Sequence, residues 1–501
     1  MLVFWVLLLL LGLFTFATVQ QSVGAITRTP VWLLWLVMMM PALVLAGWAL
    51  VQGPEKPLPL GVLLGLFLLC PLLYWGLVQW GRKPSVPGSP TAATTAQSSA
   101  ESPPESTPPA VTPPKPPLRP IDKEEETALQ GCFPWSVYYL QNIEYLPQAM
   151  ICRGQLRTSP TEAYETVKEN VRRQFGDRFL VIFQEGMQGK PVFALVPNPQ
   201  AQAQAQEKSK ALTRPGLALG LLIITLLTTT SAGARLMGLT EAQRQADPSL
   251  IWQGLPYALA LMVILGCHEM GHYLTARRYR MDATLPYFIP FPLFLGTFGA
   301  FIQLRSPVPH RRALFDVGIA GPLAGLVVTL PLLIWGLTQS TVVPIPESGS
   351  SLLSFEAINP TASVMLALLI KLTLGAQVGL EQAVYLHPVA IAGCLGLVVT
   401  ALNLMPVGQL DGGHIVHAMY GQRAGAIIGQ VARLLVLMLA FVHSELLIWA
   451  ILLFFIPAVD QPALNDISEL DSRRDLLGLL ALALLVLIVL PLPGPFARLL
   501  F

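Results

Sequence analysis

Runs of about 20 apolar residues recur along this chain, and each is long enough to cross a hydrocarbon layer of about 30 Å as a helix. Residues 31–51, 217–234, 255–277, 314–335 and 476–492 are clear examples. Backbone polar groups in lipid must be satisfied within their own element, so such runs must be helices. The expected fold class is therefore an all-α polytopic membrane protein, a multi-span helical bundle, with any soluble structure confined to the stretches between runs. A chain that is 53% hydrophobic and 12% charged over 501 residues excludes an ordinary soluble protein. Its formal charge of +2 gives no reason to expect nucleic acid as a partner.

The pattern divides the chain into five parts. Residues 1–80 hold three runs (1–17, 31–51 and 58–80) and form an N-terminal membrane segment. The first run lacks the basic start and cleavage site of a secretory signal, and it lacks the Arg- and Ser-rich pattern of a transit peptide. It is expected to be retained, which favours a bacterial plasma membrane or a cyanobacterial thylakoid as the location. Residues 81–120 contain twelve prolines among Ser, Thr and Ala, a composition that cannot bury a core and reads as an extended linker. Residues 121–200 look like a small soluble α+β domain: strand-like content over 135–157, a helix opened by Ser159-Pro160-Thr161-Glu162, then a hairpin from FLVIFQEG and KPVFALVPN. Residues 201–213 link it to a membrane domain at 214–501.

Within that last part, LMVILGCHEMGHYLTARRYR (261–280) places His268 and His272 four residues apart on one helix face, with Glu269 beside the first. That spacing suits a tetrahedral Zn2+, with the Glu placed to activate a water. Burying two imidazoles and a carboxylate in an apolar helix costs several kcal/mol, which a purely structural role avoids with Leu or Ala. The five cysteines are odd in number and contain no CxxC pair, so neither a disulfide framework nor a thiolate metal site is expected.

An open zinc site takes three protein ligands plus water. The acidic candidates for the third are Asp316, Asp411 and Glu445, with His414 and His417 as nitrogen rivals. Asp411 follows Asn403, Pro406 and Gly408, an interrupted helix that can turn a carboxylate toward a cavity. Asp316 opens a run whose Gly318, Ala320, Gly321, Ala324 and Gly325 allow close helix approach; the carboxylate itself suits the helix dipole and the neighbouring Arg residues.

HEMGH at 268–272 together with NLMPVGQLDGG at 403–413 resembles the site-2 protease family of intramembrane metalloproteases (peptidase family M50). PHRRALFDVGIAGPLAG (309–325) and CRGQLR (152–157) resemble the cyanobacterial and plastid branch of ethylene-dependent gravitropism-deficient and yellow-green proteins, whose GNLR motif reads Gly154-Gln155-Leu156-Arg157 here. The resemblance implies one Zn2+ per chain held by His268, His272 and Asp411, Glu269 as general base, and Asn403 beside the metal helping to hold substrate. It implies an intramembrane zinc metalloendopeptidase whose partners are transmembrane protein substrates and membrane lipid, in regulated intramembrane proteolysis. A membrane metal transporter and an inactive scaffold of the same fold are the alternatives.

Basic residues decide the topology. Arg277, Arg278 and Arg280 lie before the apolar, Pro- and Gly-rich segment 281–304, and His310, Arg311 and Arg312 lie after it. A re-entrant loop or hairpin keeps both clusters on the cytoplasmic side, as the positive-inside tendency requires. His272 then sits about 9 Å, and His268 about 15 Å, from the basic end of its helix. For Asp411 to reach the same depth, the ambiguous segment 362–380 must not cross.

Overall fold

The computed structural model describes residues 29–52, 121–146, 149–186, 189–198, 214–292, 295–344, 359–375, 378–379, 382–442, 446–457 and 459–501, with isolated positions between 12 and 20 and between 70 and 81. It divides into two compact units, Met1–Pro113 and Pro114–Phe501. The described part of the first unit is dominated by α1 (Val31–Gln52), whose 22 residues span about 33 Å. Trp35 Nε1 donates to the Gly12 carbonyl at 2.8 Å, and Thr29 Oγ1 to that of Leu77 at 2.7 Å. The expected spans at 1–17 and 58–80 and the proline-rich linker lie almost entirely outside the described residues.

The second unit begins with the α+β part: α2 (Lys123–Gly131), β1 (Tyr138–Leu146), β2 (Ala149–Leu156), α3 (Pro160–Phe175), β3 (Phe179–Glu185) and β4 (Pro191–Pro197). The strands form one antiparallel sheet in the order β1-β2-β4-β3. Ser159 caps α3 by accepting the Glu162 amide, and Pro160 at the first helical position loses no hydrogen bond there. The helix turns Ala163, Tyr164, Val167 and Val171 inward. Beneath it, Phe183 and Phe193 stack at 4.1 Å, and Tyr138 meets Phe193 edge-on at 4.9 Å. The CRGQLR stretch has work of its own in this sheet. A β-bulge between Leu140 and Asn142 brings the Tyr139 carbonyl so close to Gly154 that a Cβ there would lie 2.2 Å away. Arg157 lies over the rings of Trp135 and Tyr139, at 6.0 and 5.3 Å.

The rest is a polytopic helical bundle. Its first elements are α4 (Pro215–Leu236), α5 (Leu255–Arg278), a hairpin of β5 (Tyr287–Pro290) and β6 (Thr297–Phe301), and α6 (Arg311–Thr338). There follow β7 (Thr341–Pro344), α7 (Val364–Leu374), β8 (Gln382–Tyr385), α8 (Pro388–Leu404) and α9 (Asp411–Tyr420). Last come α10 (Gln422–Val442), α11 (Leu447–Phe455), α12 (Ser472–Val489) and α13 (Gly494–Leu500). Among the described residues, five helices are long and apolar enough to cross a membrane, with α12 and α13 forming a pair bent by 86°.

Segment 281–304 is the β5–β6 hairpin. Its turn is tied to the bundle: Thr228 Oγ1 donates to the Gly296 carbonyl at 2.7 Å, Tyr257 to that of Leu295 at 3.0 Å and Arg235 to that of Pro292 at 3.0 Å. In the ambiguous segment, the 11 residues of α7 span about 16 Å, half a hydrocarbon layer. Strands β7 and β8 pair antiparallel on either side of it, so the chain returns to where it left α6. Helix α11, which follows α10, has only 9 residues, and residues 443–445 between the two lie outside the described residues.

After α11, residues 459–471 join the two halves of this unit. The Leu464 amide donates to the Val308 carbonyl, the Phe183 amide of β3 donates to the Leu464 carbonyl, and the Asp466 amide donates to the Phe183 carbonyl, at 2.9, 2.7 and 2.8 Å. Leu464 and Ile467 pack against the aromatic core of the α+β part. Asp460 and Asp466 are buried with His417 of α9 between them, its Nδ1 2.8 Å from Asp460 and its Nε2 3.0 Å from Asp466. His414 Nδ1 also reaches Asp460 at 2.8 Å, and Arg311 Nε reaches Asp466 at 3.3 Å. Burial opposes ionisation of Asp460, but the hydrogen bonds from His414 and His417 outweigh it and hold the carboxyl down at about 2. A carboxyl lowered on folding stabilises above its unfolded range, near pH 4, and that stabilisation goes as pH falls through the folded value. Amide-exchange protection of Leu464–Asp466 should therefore hold through about pH 4 and fall as pH nears about 2. His417→Ala, which removes the buried imidazole bridging Asp460 and Asp466 and leaves them only His414 and Arg311, should lower the unfolding free energy by about 3 kcal/mol, read by thermal or denaturant unfolding of the full chain.

Candidate metal centre

Helix α5 buries His268, Glu269 and His272, each at 8% exposure or less, on a face packed inside the bundle. The two imidazoles point the same way, with Nε2 atoms 3.2 Å apart. Asp411 Oδ2 completes a triangle, 3.5 Å from His268 Nε2 and 3.3 Å from His272 Nε2. Asp411 is the first residue of α9, and it reaches α5 because the chain reverses sharply after α8. Gly408 has φ +51°, and a Cβ at Gly412 would lie 1.9 Å from the Leu404 carbonyl oxygen. The LDGG sequence is thus the backbone requirement of a tight break that aims one carboxylate inward.

The third wall is α6, and it is made of glycine. A Cβ on Gly321 would lie 2.0 Å from His272 Nε2. On Gly325 it would meet His268 Cβ at 3.2 Å, and on Gly318 the Asp411 carbonyl at 3.2 Å. Spaced three and four residues apart, these glycines share one helix face, and each lies against one of the three polar residues. In return, Gly271 of α5 lets the Ala320 carbonyl approach to within 2.5 Å of where its Cβ would be. Close approach also brings the Val317 carbonyl of α6 to 2.8 Å from His272 Nδ1. A proton on Nδ1 bonded to that carbonyl leaves Nε2 with its lone pair free to ligate.

The donor geometry fits zinc. A tetrahedral ion with ligands at about 2.0–2.1 Å sets them about 3.3–3.4 Å apart, and the three separations here are 3.2, 3.3 and 3.5 Å. Two nitrogens and one carboxylate oxygen form a donor set of the kind open zinc sites use, with the fourth position left for water or substrate. His268, His272 and Asp411 are the group among the described residues whose donor atoms all lie within 4.8 Å of one another.

The other sequence candidates are elsewhere. Asp316 accepts Tyr279 Oη at 2.6 Å and both Nε and Nη2 of Arg474 at 2.7 Å, so its partner is a residue 158 positions away rather than the adjacent arginines. His414 and His417 are occupied by Asp460. Glu445 lies outside the described residues. Asn403, near the end of α8, has its amide nitrogen 3.1 Å from His268 Nε2. The backbone amide of Ile302, just after β6, lies near the Glu269 carboxylate, and no residue pattern foretells it. The Val317 carbonyl was equally hidden, since backbone groups carry no residue signal.

Parts of the chain are similar to known proteins. Residues 256–446 match Peptidase family M50, and residues 127–204 match the EGY3 middle domain. The chain is 34% identical over 238 residues to the probable zinc metalloprotease EGY1, chloroplastic, of Arabidopsis thaliana, covering 47% of this chain and 43% of that protein. It is 27% identical over 379 residues to the probable zinc metalloprotease EGY2, chloroplastic, of the same plant, covering 75% of this chain and 66% of the relative. With the rice (Oryza sativa subsp. indica) probable zinc metalloprotease EGY3, chloroplastic, identity is 24% over 381 residues, covering 72% and 63%. The chain thus spans less than two thirds of the length of each. No solved structure matches it.

The glycine wall supplies a direct test. Gly321→Ala, which forces a methyl group onto His272, should abolish copurifying zinc measured by elemental analysis. Gly220→Ala should retain it, because a Cβ there meets nothing within 4 Å.

Proposed function

The chain carries a peptidase family M50 (site-2 protease) domain and is homologous to the EGY zinc metalloproteases, and on that premise we propose that it is a zinc-dependent endopeptidase that cuts transmembrane segments of other membrane proteins. The observation that carries the reading is the triangle of His268 Nε2, His272 Nε2 and Asp411 Oδ2, at tetrahedral spacing with Glu269 next in sequence to the first ligand. These three residues hold one Zn2+ per chain. When bound, zinc supplies the Lewis acidity that makes water a nucleophile near neutral pH.

Glu269 takes the proton from the attacking water and returns it to the leaving amine, so the peptide bond breaks with no net change at the carboxylate. Its burial beside the Ile302 amide fixes the carboxylate's direction before substrate arrives. Asn403, 3.1 Å from the ligating nitrogen of His268, holds the substrate backbone at the open position. A transmembrane helix hides its carbonyls in its own hydrogen bonds and must be unwound locally to be cut. The β5–β6 hairpin offers replacement bonds to an extended substrate, and it runs directly into Ile302 against Glu269. Exposed Phe298 and Ile289 give the hairpin apolar contacts for substrate side chains.

In this reading 214–501 is the protease domain and 121–200 a substrate-handling or regulatory domain, in regulated intramembrane proteolysis at a bacterial plasma membrane or cyanobacterial thylakoid. Glu269→Gln should abolish cleavage of a co-expressed single-span reporter while sparing zinc content; His272→Ala should lose both. Cleavage by the Glu269→Gln protein would refute the base assignment, and zinc uptake into vesicles without proteolysis would point to a transporter instead.

A further inference from the structure

The last long helix, α12, contributes no residue to the candidate metal centre, yet it enters the bundle through the group that fixes the turn of α6 facing His272. Asp471 caps α12 by accepting the Arg474 amide at 3.0 Å. From the first turn, the Arg474 guanidinium grips Asp316 with two prongs, Nε to Oδ1 and Nη2 to Oδ2, both at 2.7 Å. Such a fork fixes orientation as well as distance, which a single ammonium does not. Tyr279, at the C-terminal end of α5, donates its hydroxyl to Asp316 Oδ2 at 2.6 Å. One carboxylate thus ties α5, α6 and α12 together.

Asp316 is followed by Val317, whose carbonyl accepts from His272 Nδ1 at 2.8 Å. A helical carbonyl that already serves its own helix has a second lone pair, and the imidazole uses it. Tyr279 lies seven residues after His272, two turns along the same face of α5. The Tyr279–Asp316 and His272–Val317 bonds are therefore two ties between the same pair of helices, made by adjacent residues of α6. Withdrawal of α6 from α5 by about 1 Å along the 2.8 Å bond would stretch it past hydrogen-bonding range. One turn beyond Arg474, Gly478 completes the packing: a Cβ there would lie 2.4 Å from Met419 Sδ on α9 and 3.1 Å from the Phe315 ring on α6. The helix thus presses on the element that bears Asp411 as well as on the one that orients His272.

We infer that Arg474 and Asp316 are positioning residues of the metal centre: the Arg474–Asp316–Tyr279 clamp sets the α6 backbone so that the Val317 carbonyl holds His272 with Nε2 aimed at the ion. The inference rests on the zinc reading of His268, His272 and Asp411. Loss of an outer hydrogen-bond partner of a ligating imidazole typically weakens metal binding by about 10- to 100-fold.

The test compares the purified full chain in detergent with Arg474→Ala, Arg474→Lys and Tyr279→Phe. Zinc affinity is read by chelator competition, and ligand geometry by the visible absorption of the Co2+-substituted protein. Arg423→Ala is the control for general loosening, since Arg423 bonds the Gly186 carbonyl and pairs with Glu185, away from the clamp. Arg474→Ala should weaken zinc binding by about 10- to 100-fold and alter the Co2+ spectrum, with Arg474→Lys recovering part of both and Arg423→Ala changing neither. If Arg474→Ala does not fold, Arg474→Lys and Tyr279→Phe, which each remove less of the clamp, must still weaken binding. Unchanged affinity and spectrum in folded variants, with a lowered unfolding temperature only, would overturn the inference while leaving the zinc reading intact. Absence of zinc binding by the unsubstituted chain would overturn both.

Discussion

Everything in the bundle is subordinate to one packing problem: two imidazoles and a carboxylate must lie within 3.2–3.5 Å of one another among apolar helices. Polar groups so buried are costly unless each has its partner. The solution is a helix whose facing surface is bare backbone. Gly318, Gly321 and Gly325 leave α6 no side chain toward the site, so it can close on α5 and α9 until a backbone carbonyl reaches His272. Close backbone approach is the usual means of joining helices in lipid, where the hydrophobic effect gives no preference for helix over lipid tail. Here the same approach also gives a buried imidazole its hydrogen-bond partner.

Irregular backbone collects around this site for a related reason. The break between α8 and α9 brings Asp411 inward, and the β5–β6 hairpin brings Ile302 onto Glu269. Non-helical segments at membrane depth persist where protein covers them. The hairpin turn accordingly leans on α4 through Thr228 and Arg235 and on α5 through Tyr257.

Much of this was legible in the sequence because it was carried by residue identity at fixed spacing. His268, Glu269 and His272 announce themselves at helical period, and the basic clusters at 277–280 and 310–312 argued against a plain span over 281–304. The Ser159-Pro160-Thr161-Glu162 start signal matched the observed cap of α3 because capping is local. Asp411 could be separated from Asp316, Glu445, His414 and His417 only by family resemblance, since sequence separation conceals which carboxylate meets which face. Asp316 shows the limit most plainly. Its neighbours in sequence include three arginines or histidines at 310–312, yet the fold pairs it with Arg474, and only tertiary packing decides that choice. A partner supplied by backbone, such as the Val317 carbonyl, leaves no trace in composition at all.

The segment from 459 to 471 bears on how the chain matures. The aromatic core around Phe183 and Phe193 is sealed by Leu464 and Ile467, and the open edge of β3 is capped by backbone bonds to Leu464 and Asp466. During synthesis from the N-terminus, the α+β part emerges with that edge bare, and it stays so while most of the bundle is made. Its final structure must await a loop that exists only once the site-bearing helices have been inserted. A chain cut short before that loop would hold every motif of the candidate metal centre and still leave an exposed strand edge, the kind of defect by which quality control distinguishes finished proteins from unfinished ones.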